Sequence, residues 1–142
     1  MDLSTARQTI TTHLERMRSA FTQPVFDEWA IIAPNAKHRG VLAYGGPRIE
    51  AFTAQFQKDI APLRNVAAGR TLAPGDFDFV VEAPGTQHDA LIKTGAGSYL
   101  ILNNTARTMA DIRVSPHWVK AQKIFVELSD KFRADPLEAP SA

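Results

Sequence analysis

The chain has 142 residues, of which 44% are hydrophobic and 22% charged, and its formal net charge is +1. This length suits one domain, and the near-neutral charge argues against nucleic-acid binding, which usually needs a clear basic excess. The sequence has no cysteine, no signal-peptide pattern at its start and no apolar segment of membrane-spanning length, so we expect a cytoplasmic protein without disulfides or a membrane partner.

An amphipathic helix is predicted over residues 2–22, with Asp2 or Ser4 as its N-cap. Its apolar residues recur at helical spacing and share one face: Leu3, Ile10, Leu14, Met17 and Phe21. The polar face is interpreted as solvated and carries Arg7, Gln8, Thr11, Thr12, Glu15, Arg16 and Arg18. Pro24 marks the end of the helix, because the residue before a proline avoids the helical region.

Two strands and a second helix are predicted next. Residues 29–33 (WAIIA) are apolar at successive positions, so both faces of this strand are expected to be buried. A polar return over residues 34–40 leads to the second strand, residues 41–44. A helix is then predicted over residues 47–63, because its apolar residues recur at steps of three and four, and Pro62 is expected to kink it.

Three further strands are predicted, over residues 77–83, 89–94 and 98–102. In the first of them, Phe77, Phe79, Val81 and Ala83 alternate with Asp78, Val80 and Glu82. This pattern is typical of a half-exposed strand, and its charges favour a position at a sheet edge. The third is apolar at nearly every position and is expected to be fully buried. A polar connection with a short helical turn near Met109 follows.

A last helix is predicted to open at Ser115 and Pro116, which provide a cap and a first-turn proline. Its apolar stripe consists of Trp118, Ala121, Phe125, Leu128 and Phe132. The order of elements predicts an α+β fold: a three-layer α/β/α sandwich around a five-stranded, mostly antiparallel sheet, with the terminal helices on one face and the middle helix on the other. One domain is expected over residues 1–135, followed by a flexible tail at residues 136–142.

The sequence contains no recognisable catalytic or metal-binding constellation. The four histidines are scattered and lack the i, i+4 pairing of a helical zinc site. One candidate metal cluster consists of Asp76, Asp78, Glu82, His88 and Asp89. The carboxylates on the strand are better explained as the wet face of a sheet edge. Residues 93–95 (KTG) match a β-lactamase triplet, but no Ser-x-x-Lys nucleophile accompanies it. We therefore expect no catalytic, cofactor-binding or metal-binding residues and no enzyme activity.

The order of elements, Gly40 ahead of the strand at residues 41–43, and the long helix from Pro47 resemble the Roadblock/dynein light-chain domain family, whose fold is profilin-like. The resemblance covers residues 3–132, although the hairpin segment is longer than in the family and a proline interrupts the middle helix. It implies the strand order 2-1-5-4-3 and dimers that pair the strand-3 edges and pack the middle helices together. It also implies a non-enzymatic module that scaffolds or regulates small GTPases, or attaches cargo to motors.

The first functional expectation is therefore a non-catalytic, dimeric interaction or regulatory module, whose partners are a second copy of the chain and a small GTPase or another protein. The expected dimer interface consists of Ala51, Ala54, Lys58, Ala61, Asp78 and Val80. The alternative is a small-molecule sensor with a pocket between helix and sheet, for which Trp29, Tyr44 and Tyr99 are candidate lining residues. An enzyme without a recognised motif is the third interpretation.

Overall fold

A computed structural model describes residues 1–22, 24–33, 41–46, 72–79, 89–104 and 108–138. Its elements are α1 (Leu3–Phe21), β1 (Glu28–Ile32), β2 (Val41–Gly45), β3 (Phe77–Phe79), β4 (Asp89–Gly95), β5 (Ser98–Asn103), α2 (Met109–Arg113) and α3 (Trp118–Ala134). The predicted α+β class is confirmed, as is the helical turn near Met109. The helix predicted over residues 47–63 lies outside the described residues.

The strands form one sheet in the order β2-β1-β5-β4-β3, and every pair is antiparallel. This is the order that the family resemblance implies, with β3 at one edge. In the middle of the sheet, Trp29 of β1 lies opposite Leu102 of β5 on one side and Gly45 of β2 on the other. The edge strand β3 pairs Phe77 with Ile92 of β4.

The two terminal helices, α1 and α3, cover the same face of the sheet, as predicted. Their apolar stripes meet and form the main core together with the inward residues of the strands. The largest fully buried side chains of this core are Phe21, Phe26, Phe125, Phe132, Ile10, Leu14, Met17, Ile31, Ile92 and Leu100. At the surface, Arg16 Nη1 lies 2.5 Å from Glu127 Oε2 and so joins α1 to α3, and this hydrogen bond lowers the pKa of the Glu127 carboxyl.

The second face of the sheet is buried as well. Ile31 belongs to the main core, whereas its neighbours Ala30 and Ile32 belong to a smaller cluster on the opposite face. That cluster also contains Leu91, Tyr99 and Ile101, and all of its members are buried. The burial of both faces predicted from the continuous apolar run of β1 is therefore confirmed. That the middle helix provides the cover remains a prediction.

The two long helices begin differently. For α1 the predicted cap is confirmed, because Asp2 Oδ1 accepts a hydrogen bond from the backbone N–H of Thr5 at 2.7 Å, and this bond lowers the pKa of Asp2. The start predicted for α3 is wrong, since α3 begins at Trp118 rather than at residues 115–116. Those two residues form a turn instead, in which the carbonyl of Ser115 accepts from the N–H of Trp118 at 3.0 Å.

The first residues of the predicted flexible tail are packed against the domain. Leu137 is only 5% exposed, and its N–H donates to the carbonyl of Thr94 at 2.7 Å. The next N–H, of Glu138, donates to the carbonyl of Met1 at 2.9 Å. The packed part of the domain therefore continues past the predicted boundary at residue 135, because Leu137 belongs to the main core and its N–H has an acceptor on β4.

Candidate functional site

An open cavity of about 960 Å³ lies between α1 and the β2 side of the sheet. From α1 it is lined by Arg7, Thr11, Leu14, Arg18 and Ser19. From the α1–β1 connection and the strands it is lined by Thr22, Pro24, Asp27, Trp29, Tyr44, Gly45 and Gly46. Its volume falls in the range of small-molecule sites, roughly 300–1,000 Å³. We call it the α1–β2 cavity and treat it as the candidate functional site.

One face of α1 forms a wall of this cavity. Arg7, Thr11, Leu14 and Arg18 recur at steps of three and four, so they share that face. Leu14 is buried, whereas Arg7 and Thr11 are exposed at the rim. The polar face interpreted as solvated thus includes one wall of a cavity. The helical spacing of these α1 residues was visible in the sequence. The residues of the opposite wall, such as Trp29 and Gly45, belong to other segments of the chain.

Two consecutive glycines shape the sheet side of the cavity. A Cβ atom at Gly45 would lie 2.5 Å from Nε1 of Trp29, so only glycine lets the indole pack this closely on β2. At Gly46, φ is +136° and a Cβ atom would lie 2.6 Å from the carbonyl oxygen of Asp27. Tyr44, which is 39% exposed, is also a lining residue, but its pairing with Ala30 directs its side chain to the other face of the sheet. The glycines therefore allow close approach of an aromatic ring and of a second backbone segment.

The connection between α1 and β1 is held in an unusual conformation. Thr22 has a φ of 58° and Phe26 a φ of 50°, and such positive values are uncommon outside glycine. Phe26 is held from two directions: its N–H donates to Asn104 Oδ1 at 2.6 Å, and its carbonyl accepts from Arg18 Nη2 at 3.1 Å. Residues in such conformations persist where their surroundings hold them. This wall is therefore fixed by specific hydrogen bonds rather than by regular secondary structure.

The charged residues of the described lining are two arginines and one aspartate, so their net charge is +1. Arg18 Nε is buried and has no hydrogen-bond acceptor among the described residues. Arg7 takes part in no ion pair within the described part of the chain. Asp27, the acidic residue of the lining, already interacts with another group of the protein. The arrangement thus leaves guanidinium donors at the cavity that the described protein groups do not use.

Of the three aromatic residues expected to line a pocket, Trp29 and Tyr44 are lining residues of this cavity and Tyr99 is not. Tyr44 pairs with Ala30, however, so its side chain lies on the face of the sheet opposite to that of Trp29. Tyr99 lies opposite Ile32 in the sheet and belongs with it to the cluster on the second face. Because side chains alternate along a strand, Trp29 and Ile32 point to opposite faces. On its own face, Tyr99 Oη accepts from Lys93 Nζ at 3.0 Å, and the ammonium lies 4.3 Å from the ring centroid. Tyr99 is therefore not part of the α1–β2 cavity.

The expected dimer interface falls almost wholly outside the described residues. Those outside are Ala51, Ala54, Lys58, Ala61 and Val80. Asp78 is in β3, where its backbone lies opposite Leu91 of β4. The interface stays a prediction.

The described residues contain no group of three or more histidine, aspartate or glutamate side chains placed to hold a metal ion. Asp76, from the candidate cluster in the sequence, is a turn residue whose Oδ2 accepts from the N–H of Ala73 at 2.9 Å. His13 is buried in α1, and its Nδ1 donates to the carbonyl of Thr9 at 2.7 Å. Both side chains have structural partners.

Comparison of the chain with protein-family models, with curated proteins and with solved structures finds no match in any of the three. The Roadblock resemblance therefore remains a prediction. Among the helices of the described residues, none is long and apolar enough to cross a lipid bilayer.

Proposed function

We propose that the chain is a non-catalytic small-molecule-binding module whose ligand occupies the α1–β2 cavity. One observation carries the proposal: a cavity of about 960 Å³ is lined by the indole-bearing residue Trp29 together with two arginines, Arg7 and Arg18. Small-molecule sites typically provide apolar contact together with a few polar groups that orient the ligand. This is the sensor alternative considered above, with Trp29 as a proposed contact for the ligand.

The residue types at the cavity favour binding over chemistry. Nucleophilic catalysis by a hydroxyl needs an adjacent general base. The hydroxyls of Thr11 and Thr22 instead donate to backbone carbonyls, at 2.8 and 2.6 Å. No histidine is among the described lining residues, and Asp27 is the one carboxylate in that set. We therefore propose recognition without turnover.

Filling the cavity with Ser19→Trp is expected to abolish ligand binding without unfolding the domain. Ser19 is exposed, lines the cavity and makes no side-chain hydrogen bond in the described structure, so a large side chain has room. Thr12→Trp is the matched control, because Thr12 is exposed on the same helix and is not among the lining residues. In a thermal-shift screen of metabolites and nucleotides, a ligand should stabilise wild type and Thr12→Trp but not Ser19→Trp. Equal stabilisation of all three proteins would place the binding site elsewhere.

A second proposed function is the dimeric interaction or regulatory module, with a small GTPase or another protein as its partner. It is supported by the position of β3, which is the last strand of the sheet order and pairs with β4. Phe77 at this edge is 37% exposed, and a sheet edge is a natural template for pairing with a second copy. This proposal includes a cytoplasmic location and a profilin-like, three-layer sandwich in which the middle helix covers the second face.

Light scattering is expected to give the mass of two chains for the wild type. Ala54→Arg, in the middle of the expected helix interface, should shift the mass to one chain because a long charged side chain prevents close helix packing. Ala110→Arg is the matched control, since Ala110 is exposed on α2. A monomeric wild type at high concentration, or a dimeric Ala54→Arg, would contradict this interface.

A further inference from the structure

We infer that the ligand of the α1–β2 cavity is a small organic anion, in which a carboxylate or a phosphate is joined to an apolar body. This inference rests on the proposed binding function and adds the chemical class of the ligand. It depends on the hydrogen-bond donors and the apolar surface that the cavity offers together.

Arg18 provides the central donor group. A guanidinium carries several N–H donors in a planar fork, and the structure gives one of those of Arg18 an acceptor, the carbonyl of Phe26. The Nε group is buried and has no acceptor among the described residues. A buried donor without a partner costs free energy, whereas a carboxylate or phosphate on a guanidinium forms strong charge-assisted hydrogen bonds. Because Nε itself is buried, an anion in the cavity would bind to the Nη1 group of Arg18, for which the described structure shows no acceptor.

The other polar residues of the lining point to the same class of ligand. Arg7 adds a second guanidinium at the rim, on the same face of α1 as Arg18. Trp29 adds an uncharged N–H donor to the lining, and Asp27 is the one negatively charged residue among the described lining residues. Donors therefore outnumber acceptors, and a cleft with excess positive charge attracts anions.

The apolar part of the lining indicates that the anion is organic. Leu14, Pro24 and Trp29 belong to the same cavity as the arginines. Inorganic phosphate would leave this surface in contact with water, whereas an apolar body would bury it, which is favourable. A guanidinium binds carboxylate and phosphate by the same two-pronged geometry, so both head groups are included.

The two tryptophans of the chain allow a direct test by NMR. Trp29 lines the cavity, whereas Trp118 packs in the main core with its ring centroid 6.4 Å from that of Phe125. The indole N–H signal of Trp118 therefore serves as an internal reference, and a Trp118→Phe variant assigns the two signals. The full chain is titrated with benzoate, phenyl phosphate and neutral benzamide at constant ionic strength.

We expect at least one of the two anions to shift the Trp29 signal in a saturable way, while the Trp118 signal stays in place. Benzamide, which has the same ring without the charge, should bind about tenfold more weakly or worse. The relative affinities of benzoate and phenyl phosphate then distinguish a carboxylate site from a phosphate site.

Three arginine variants locate the anion. Arg18→Met should weaken anion binding about tenfold or more, because it removes the charge-assisted hydrogen bonds. Arg7→Met should weaken it by a few-fold, because water and salt screen a charge at the exposed rim. Arg16→Met is the matched control and should bind like wild type, since Arg16 pairs with Glu127 of α3 and is not a lining residue. Circular dichroism checks that each variant is folded.

The outcomes separate this inference from the proposed function. Equal affinity for benzamide and benzoate would overturn the anionic class and leave the cavity as a binding site. The absence of a Trp29 shift with either anion at millimolar concentration would overturn it too, and the Ser19→Trp comparison would then decide separately whether the cavity binds another class of ligand. If Arg18→Met does not fold, Arg7→Met decides, because the side chain of Arg7 makes no hydrogen bond in the described structure.

Discussion

Replacing Phe125 with alanine is expected to lower the free energy of unfolding by about 3–5 kcal/mol, the range for truncating a buried aromatic side chain. Phe125 is fully buried on α3 at the centre of an aromatic group. Its ring centroid lies 4.9 Å from that of Phe77, 5.9 Å from that of Phe26 and 6.4 Å from that of Trp118. Because these partners come from the edge strand, the α1–β1 connection and α3 itself, the cavity left by the truncation cannot close by moving one element.

Equilibrium unfolding in urea measures this effect. The control is Val119→Ala, on the same helix, where the side chain is 63% exposed and the loss should stay within about 0.5 kcal/mol. A loss below about 1 kcal/mol for Phe125→Ala would show that α3 is not docked on the sheet as described.

Gly46→Ala is expected to destabilise the protein by about 2–4 kcal/mol, since it combines backbone strain with a steric clash. The φ of +136° is one that residues with a side chain rarely adopt, and the added Cβ atom would lie 2.6 Å from the carbonyl oxygen of Asp27. A backbone oxygen cannot rotate away as the end of a flexible side chain can. To relieve this clash, β2 and the α1–β1 connection would have to move apart, and both of them line the cavity.

Gly97→Ala is the control for Gly46→Ala. A Cβ atom at Gly97 would have no neighbour within 4 Å, so this variant should differ from wild type by less than about 1 kcal/mol. The Tm and the urea midpoint of both variants test the prediction. If Gly46→Ala were as stable as Gly97→Ala, the close approach between β2 and the backbone of Asp27 would be incorrect.

The element types could be predicted because their signals are local. The run WAIIA showed that β1 has two buried faces, and the structure assigns Ile31 and Ile32 to clusters on opposite faces. The cap of α1 was equally local, since Asp2 accepts from an N–H three residues away. The start of α3 was not predicted correctly, because Ser115 and Pro116 suit a turn as well as a helix start. The packed residues after position 135 were also missed, because the partners of Leu137 and Glu138 are Thr94 and Met1, which lie far away in the sequence.

By itself, the sequence determined the helices at both ends, the strands between them and the absence of a recognisable catalytic motif, because periodicity and residue type are properties of a single segment. Only the tertiary structure decided where the α1–β2 cavity lies. The positions of Arg7 and Arg18 on the polar face of α1 were visible in the sequence. They indicated no cavity until the structure placed Trp29 and Gly45 opposite them. The separation of Tyr99 from Trp29 follows from strand register, which is set by pairing between distant segments. A cavity is formed by surfaces that meet, and no single stretch of chain contains both of them.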